Sequence, residues 1–261
     1  MAKKDCPACG GTGWKPGDTL GVRRVTRCDC QESERTELLL KEARIPPRYE
    51  HCAFENFDVR KDRETGEANP SLRQAKVWAE AFVREYPIDI GLLFVGPAGV
   101  GKTHLAVAVL RELMLRKGIE CLFYDFLKLL KDIRDSYNPV SQTSELTVLQ
   151  PVLEVEVLLL DELAASDPTD WVRETLRHII NSRYNQKKVT LITTTHGVDE
   201  PPGRREVRMP SGDSLPSLDR VLSHLGLEIS SRLYEMCKVV QMSSDDYRKS
   251  IKQAGYKLHV E

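Results

Sequence analysis

The sequence predicts an α/β fold in which helices cover both faces of a parallel sheet in three layers, preceded by a small cysteine-rich module. Two observations indicate the sheet. After residue 71, short apolar runs alternate with amphipathic helical segments, and a glycine-rich loop joins one apolar run to the helix that follows it. A third observation sets the first thirty residues apart, because they hold four of the seven cysteines but show little hydrophobic periodicity. Such a segment needs a cross-link in place of a core.

The helices and strands are predicted in a regular order along the chain. A charged helix over residues 31–44 ends at the two prolines of IPPRYE, because proline lacks an amide proton and restricts the residue before it. The polar residues 59–71 are typical of a linker or surface loop. Further helices are predicted at 72–86, 102–118, 125–137 and 170–186, and strands at 90–95, 119–124, 155–160 and 189–195. The chain is therefore divided into an N-terminal module (1–55), a linker (56–72) and an α/β domain (73–261), with a surface loop at Asp199–Ser217.

The charge balance and the apolar runs exclude some function classes. The chain has 38 basic and 39 acidic residues, so any binding of nucleic acid must depend on local patches. The first residues are charged without the apolar segment of a signal peptide. Apolar runs such as VLLL, which ends at Leu160, are far too short to span a bilayer. We predict a cytoplasmic protein without membrane association.

A phosphate-binding loop follows the strand predicted at 90–95. The stretch GPAGVGKT matches G-x-x-x-x-G-K-[S/T], and it lies between a strand and a helix, as such loops do. Lys102 is expected to reach the β- and γ-phosphates of ATP, and Thr103 to hold Mg²⁺. The alternative is a glycine-rich turn without a ligand. The predicted nucleotide-binding residues are Gly96, Pro97, Ala98, Gly99, Val100, Gly101, Lys102, Thr103 and His104.

Two carboxylates follow the strand predicted at 155–160. Asp161 is predicted to bind Mg²⁺ and Glu162 to polarise an attacking water, although an Asp-Glu pair after a strand is usually a solvated strand end. Thr195 ends the next predicted strand, where its hydroxyl can orient the water or sense the γ-phosphate. The alternative is that threonine stands there only because it is a favourable strand residue. Arg232 lies on a helix beside apolar residues, and it can complete another subunit's site or form an ordinary surface salt bridge. The predicted catalytic residues are Lys102, Asp161, Glu162, Thr195 and Arg232.

The N-terminal cysteines form two closely spaced pairs, Cys6-x₂-Cys9 and Cys28-x-Cys30. Four thiolates at this spacing are able to surround one Zn²⁺ tetrahedrally, whereas a redox C-x-x-C lacks its usual strand and helix context here. Residues 1–30 carry six basic and three acidic side chains, a charge of +3, which four thiolates and Zn²⁺ reduce to +1. That charge is small, so we favour protein docking over DNA binding for this module. The remaining cysteines are interpreted as buried apolar residues: Cys52, Cys121 and Cys237.

The helix predicted at 125–137 has a basic face. Lys128, Lys131 and Arg134 are spaced three apart, with Phe126 and Tyr137 beside them. Single-stranded DNA requires a basic track with aromatic stacking surfaces. Two aspartates on the same helix favour instead an ordinary solvated face, so both interpretations remain open.

Several stretches taken together are similar to the DnaC/IstB-like branch of the AAA+ ATPases, which comprises bacterial helicase loaders and ATPase subunits of certain transposons. This resemblance implies that Asp161 and Glu162 are the metal and base carboxylates, Thr195 the polar sensor and Arg232 a finger that acts in trans. The family often has asparagine where Thr195 stands, and the loop Asp199–Ser217 is not typical of its shorter members. The matching stretches are IPPRYEHCAFENF, GLLFVGPAGVGKTHLAVAV, VLLLDEL, DWVRETLRHIINSRYNQKKVTLITTT and ISSRLYEMCKVVQMSSDDYRKS.

The resemblance also implies partners. Such ATPases form rings or spirals, because each site needs the neighbouring subunit's arginine. We predict a helicase loader that binds a DnaB-like replicative helicase and single-stranded DNA, with ATP, Mg²⁺ and Zn²⁺ as cofactors and self-association through Arg232. The alternative is an IstB-like ATPase that delivers a transposase to target DNA. A small-molecule P-loop kinase and a zinc-dependent interaction protein with a nonhydrolysing nucleotide site are more distant alternatives.

Overall fold

The computed structural model describes residues 5–19, 22–60, 66–138, 144–163, 168–195 and 225–249. The loop predicted at Asp199–Ser217 lies outside these residues.

A five-stranded parallel sheet forms the centre of the α/β domain. Its neighbouring strands run in the order β4-β5-β6-β3-β7, and each neighbouring pair is parallel. A separate antiparallel hairpin, β1 with β2, lies in the N-terminal module. The strands are β1 (Trp14–Thr19), β2 (Val22–Arg27), β3 (Gly91–Gly96), β4 (Cys121–Asp125), β5 (Val157–Asp161), β6 (Val189–Thr195) and β7 (Cys237–Gln241).

Seven α-helices are described around these strands. A 3₁₀ turn, Pro47–Tyr49, follows the first helix, and the third helix continues as a π-helical turn at Leu113–Lys117. The helices are α1 (Asp29–Glu42), α2 (Pro70–Glu85), α3 (Lys102–Glu112), α4 (Phe126–Ser136), α5 (Glu145–Glu154), α6 (Asp170–Asn185) and α7 (Leu227–Met236). Among the described helices, none is both long and apolar enough to cross a bilayer.

Successive residues of each central strand point into different halves of the core. On β3, Leu92 and Phe94 join the cluster that includes α2 and α3, whereas Leu93 and Val95 join the cluster that includes α4, α5, α6 and α7. All six residues of β3 are buried. A parallel sheet covered on both faces has this near-continuous burial. The predicted α/β fold with three layers is therefore confirmed.

The first helix connects the N-terminal module to the sheet domain. Leu39 of α1 and Ala43, which caps its C-terminus, are buried in the same apolar cluster as α2 and α3, and Cys52, Phe54 and Phe57 from the following loop join that cluster. The residues that contribute to this core therefore begin near position 39. The domain boundaries at 55 and 72 stay a prediction.

Three described elements were not expected from the sequence. The strands of the β1–β2 hairpin, WKPGDT and VRRVTR, show no regular alternation of apolar and polar residues. Helix α5 contains Pro151, a residue that usually ends a helix. Strand β7 is short, with exposed Lys238 and Gln241 between buried positions. Each lacks the pattern that identifies a helix or a buried parallel strand.

Candidate nucleotide and metal sites

The phosphate loop occupies the turn between β3 and α3. Gly99 and Gly101 have φ angles of 73° and 106°, a region that residues with a Cβ rarely adopt. A Cβ on Gly101 would also lie 2.7 Å from the Phe57 ring. Gly101 caps the N-terminus of α3, where unpaired amides favour an anion. The loop therefore has the backbone that a phosphate site requires.

The Lys102 ammonium lies inside this turn. It is 5% exposed, and Nζ donates to Gly96 O at 2.8 Å, to Pro97 O at 2.9 Å and to Thr195 Oγ1 at 3.1 Å. Burial lowers the pKa of Lys102, while Glu162 and Asp161 act in the opposite direction. The structure thus brings Lys102 and Thr195 together, because Gly96 of β3 pairs with Thr195 of β6 in the sheet.

Asp161 lies at the end of β5, beside α3. Its Oδ1 accepts hydrogen bonds from Thr103 Oγ1 at 2.9 Å and from Thr193 Oγ1 at 2.6 Å. Burial raises the pKa of this carboxyl, and the two hydroxyl hydrogen bonds oppose the rise. Thr103 and Asp161 form a compact oxygen pair, and oxygen ligands are those that Mg²⁺ prefers. These residues fit a bound Mg²⁺ next to the phosphate loop.

Glu162 follows in a strained turn. Its φ of 58° is in the left-handed region, which is uncommon for a residue with a Cβ. The Glu162 N–H donates to Thr193 Oγ1 at 2.9 Å, and the Leu163 N–H donates to Thr193 O at 2.8 Å. Sequence reasoning missed Thr193, although the run of three threonines that ends β6 was a signal for it.

His104 has a partner behind the loop. Its Nε2 lies 3.0 Å from Ala53 O, and its ring centroid is 5.5 Å from that of Phe57. Burial lowers the pKa of His104, which favours a neutral ring. Ligand atoms of His51, Cys52 and His104 all lie within 4.8 Å of one another. His104 thus holds the segment around Ala53 against the start of α3, and its predicted contact with nucleotide stays a prediction.

The C-terminal segment after β7 crosses the phosphate loop. Met242 N donates to Val95 O at 2.7 Å, and Tyr247 N donates to Gly99 O at 3.1 Å. The Arg60 guanidinium lies 5.6 Å from the centre of the Tyr247 ring, and it donates to Val100 O at 3.4 Å. Sequence reasoning missed these neighbours of the loop, because Arg60 precedes Val100 by 40 residues and the segment after β7 lies still further away along the chain.

Arg232 has two partners on its own chain. Its guanidinium donates to Glu228 at 2.7 Å, one helical turn earlier on α7, and lies 5.6 Å from the Tyr184 ring centre. The apolar neighbours Ile229, Leu233 and Met236 are buried. Among the described residues, Arg232 makes no hydrogen bond to the phosphate loop or the acidic pair.

The four N-terminal cysteines converge. Cys6 Sγ is 3.7 Å from Cys28 Sγ, Cys9 Sγ is 3.5 Å from Cys30 Sγ, and all four sulfurs lie within 4.8 Å of one another. Four sulfurs bound to one zinc at ~2.3 Å stand about 3.8 Å apart. A hydrogen bond from the backbone of Ala8 lowers the pKa of Cys6 to about 7. The pKa of Cys28 is raised: a hydrogen bond from the backbone of Cys30 opposes the rise, and burial contributes to it. The cluster therefore fits Zn²⁺. The cysteines predicted to be apolar, Cys52, Cys121 and Cys237, are all buried.

The basic face of α4 differs in part from expectation. Lys131 and Arg134 are exposed, and Arg134 lies 4.6 Å from the Trp171 ring centre. Lys128 pairs with Asp132 at 2.9 Å. Phe126 is only 3% exposed, so the expectation that it offers a stacking surface is wrong, whereas Tyr137 is 52% exposed. Phe126 is buried because it begins α4 on the side that packs against the sheet.

The fold and the first site together define a P-loop domain of the AAA+ class. A buried lysine at a strand-loop-helix junction faces an Asp-Glu pair on a nearby parallel strand, and the strand order places both at the carboxyl edge of the sheet. The family model of the IstB-like ATP binding proteins matches residues 28–203. The chain belongs to this family.

Several known proteins are similar to the chain. The replicative helicase loader DnaC of Escherichia coli K12 is 29% identical over 157 residues, which are 60% of this chain and 60% of DnaC. The phage-like element PBSX protein XkdC of Bacillus subtilis is 23% identical over 269 residues, which are 99% of this chain and 86% of XkdC. The match thus spans less than two thirds of DnaC but most of XkdC.

Solved structures extend this comparison. A crystal structure of the DnaC helicase loader has a TM-score of 0.61 and 30% identity, over 76% of this chain and 100% of that chain. The DnaI crystal structure has a TM-score of 0.56 and 20% identity, over 82% of this chain and 100% of that chain. At its lower identity, the likeness to DnaI supports the fold alone.

Proposed function

We propose that this protein is an ATPase that loads a hexameric replicative helicase onto DNA. The observation that carries the proposal is the contact between Thr103 of the phosphate loop and Asp161 at the end of β5, at 2.9 Å. This contact joins the two halves of a Mg²⁺–nucleotide site. The similarity to DnaC, named a replicative helicase loader, supports the choice of partner.

The residues of the site have distinct roles in this proposal. Backbone amides of the loop and Lys102 hold the phosphates, and Lys102 exchanges its carbonyl partners for phosphate oxygens. Thr103 and Asp161 would hold Mg²⁺, which would supply positive charge against the phosphates when bound. Glu162 orients and polarises the attacking water, and Thr195 reports the γ-phosphate through Lys102.

The proposal includes assembly of several copies. Arg232 pairs with Glu228 within its own chain, so a second copy must compete for this arginine. An arginine supplied in trans typically contributes about 10³ to 10⁵ in rate. We expect slow hydrolysis by the monomer and faster hydrolysis after assembly, with loss of the increase in Arg232→Ala. Unchanged stimulation in that variant would refute the role in trans.

The N-terminal module is the proposed contact with the helicase. Zinc bound by Cys6, Cys9, Cys28 and Cys30 would shape a small surface that includes Trp14, which is 48% exposed. A deletion of residues 1–55 would remove buried Leu39 and Phe54 from the main core. Cysteine substitutions are therefore the better way to disable this module.

Single-stranded DNA is the second proposed ligand, along the exposed face of α4. Lys131 is exposed, and Lys128 pairs with Asp132 at 2.9 Å. The double charge reversal of Lys128 and Lys131 to Glu is expected to weaken DNA binding and flatten its salt dependence. Replacement of both Arg73 and Arg84, two exposed arginines of α2, by Glu is a control with the same change of charge. Equal DNA affinity in both variants would remove α4 from the proposal.

The test of the overall proposal is phosphate release by the zinc-loaded protein alone, with single-stranded DNA, and with the replicative helicase. Glu162→Gln should bind ATP but release little phosphate. Stimulation by the helicase, with a stable complex that Cys28→Ser weakens, is the expected result. Stimulation by DNA without a helicase complex would favour the alternative, a transposition ATPase, which the family match also permits.

A further inference from the structure

Thr193 occupies a central position between the two acidic residues. It lies on β6 and is fully buried, where a hydroxyl is costly unless it forms hydrogen bonds. Its hydroxyl forms two: it donates to Asp161 Oδ1 at 2.6 Å and accepts from the Glu162 N–H at 2.9 Å. The Thr193 hydroxyl therefore donates one hydrogen bond and accepts another, and its two partners are consecutive residues.

The backbone of Thr193 holds the same turn. Its carbonyl accepts from the Leu163 N–H at 2.8 Å, so three bonds from one residue reach the segment 161–163. Within this segment Glu162 has a φ of 58°. A residue with a Cβ holds this conformation only when surrounding contacts impose it. The hydrogen bonds of Thr193 impose such a constraint, because they hold Asp161 and Leu163, the residues before and after Glu162.

The three threonines that end β6 contact three different parts of the site. Thr193 contacts the acidic pair, Thr194 donates to Leu163 O at 2.7 Å, and Thr195 accepts from Lys102 at 3.1 Å. A valine would satisfy the strand equally well at each position. The hydroxyls therefore indicate a role beyond the strand.

We propose that Thr193 is a positioning residue that sets the Asp161 carboxylate for Mg²⁺ and the Glu162 side chain for the attacking water. The proposal rests on the proposed ATPase function for its hydrolytic part. The claim that Thr193 sets Asp161 for Mg²⁺ concerns nucleotide binding, and it can be tested even if the protein does not hydrolyse ATP. Thr193 acts through its two partners and needs no contact with the nucleotide itself.

The experiment compares Thr193→Val with Thr193→Ser in the full-length, zinc-loaded protein. Valine keeps the shape and the strand preference but removes the hydroxyl, whereas serine keeps the hydroxyl. Thr190→Val is the matched control, because Thr190 is a buried threonine of the same strand whose hydroxyl accepts from Arg183 Nε. The measurements are kcat and KM for ATP, the Mg²⁺ concentration at half-maximal rate, ADP affinity with and without Mg²⁺, and the thermal midpoint.

The expected result separates positioning from stability. Thr193→Val should lose about tenfold in kcat, the equivalent of one hydrogen bond, with less than about twofold change in ADP affinity without Mg²⁺. The gain in ADP affinity on adding Mg²⁺ should shrink. Thr193→Ser should restore kcat and the Mg²⁺ gain, and Thr190→Val should lower only the thermal midpoint.

Two results would overturn the proposal. In the first, Thr193→Val has the kcat and the Mg²⁺ dependence of the wild-type protein. In the second, Thr193→Val and Thr193→Ser lose kcat equally, which would mean that packing and not the hydroxyl causes the loss. If the wild-type protein releases no phosphate under any condition, the proposed function fails. The Mg²⁺ dependence of ADP binding then decides the role of Thr193 by itself.

Discussion

The N-terminal cysteine cluster and the central sheet hold their chain segments together in different ways. In the cluster, four sulfurs within 4.8 Å of one another join residues that are up to 24 positions apart, and few apolar side chains surround them. In the sheet domain, the strands are buried on both faces by two apolar clusters. The cluster thus has the geometry of a metal site, whereas the sheet domain is held by apolar packing.

The sheet domain nevertheless contains a polar centre of its own. Arg183 of α6 is fully buried and donates to Val152 O at 2.9 Å, Val155 O at 3.0 Å, Val189 O at 2.6 Å and Thr190 Oγ1 at 2.9 Å. Burial lowers the pKa of Arg183 to about 9. This guanidinium joins the end of α5 to the start of β6. The Arg183 guanidinium is thus satisfied by protein oxygens inside an apolar core, whereas the four thiols lie next to one another.

Among the changes that test this comparison, loss of zinc should have the largest effect on folding. Zinc binding to a small cysteine site contributes about 10–16 kcal/mol to folding. Cys28→Ser, or a strong chelator, is expected to unfold residues 5–30 while ATP binding by the sheet domain persists. Metal analysis and limited proteolysis measure this, with Cys121→Ala as the control that keeps zinc. Stoichiometric zinc in Cys28→Ser would contradict the four-sulfur site.

Replacement of the buried arginine should have the next largest effect. Arg183→Met leaves several buried carbonyls without donors, at about 1–3 kcal/mol each, so the free energy of unfolding should fall by at least about 3 kcal/mol. Denaturant unfolding measures the change. Arg177→Met, on the same helix, is the control: Arg177 is half-exposed and pairs with Glu228 at 3.6 Å, so a change within about 1 kcal/mol is expected. If both variants lowered the free energy of unfolding by similar amounts, the buried hydrogen bonds of Arg183 would not be a main source of stability.

Helix α1 links the two regions, and a variant in it tests their independence. Leu39 is 7% exposed and belongs to the main core. Leu39→Ala should lower the free energy of unfolding of the sheet domain by about 2–5 kcal/mol while zinc content stays unchanged. Leu38→Ala is the control, since Leu38 is 53% exposed. Loss of zinc in Leu39→Ala would mean that the regions fold together.

The smallest effect concerns a surface contact between α1 and the end of the π-helical turn. Arg35 donates to Gly118 O at 3.0 Å from an exposed position. Arg35→Ala should change the free energy of unfolding by no more than about 1 kcal/mol. Thermal unfolding measures this, and a larger loss would mean that this contact also joins the two regions.

The sequence predicted the parallel sheet correctly, because its buried strands have local signals in the chain. The apolar run before Gly96 and the run before Asp161 each end at the sheet edge that carries the phosphate loop and the acidic pair. The burial of Phe126 was not predicted, because an amphipathic pattern alone does not show which aromatic residue faces the core. The catalytic roles of Glu162, Thr195 and Arg232 stay predictions.

The sequence by itself determined the class of fold, the phosphate loop, the acidic pair and the cysteine spacing, because each depends on residues close together in the chain. Only the tertiary structure decided which distant groups meet. Thr193 reaches Asp161 because β6 lies beside β5, and Tyr247 reaches Gly99 because the chain leaves β7 next to β3. Strand order depends on packing across the whole sheet, so no short stretch of sequence encodes these contacts.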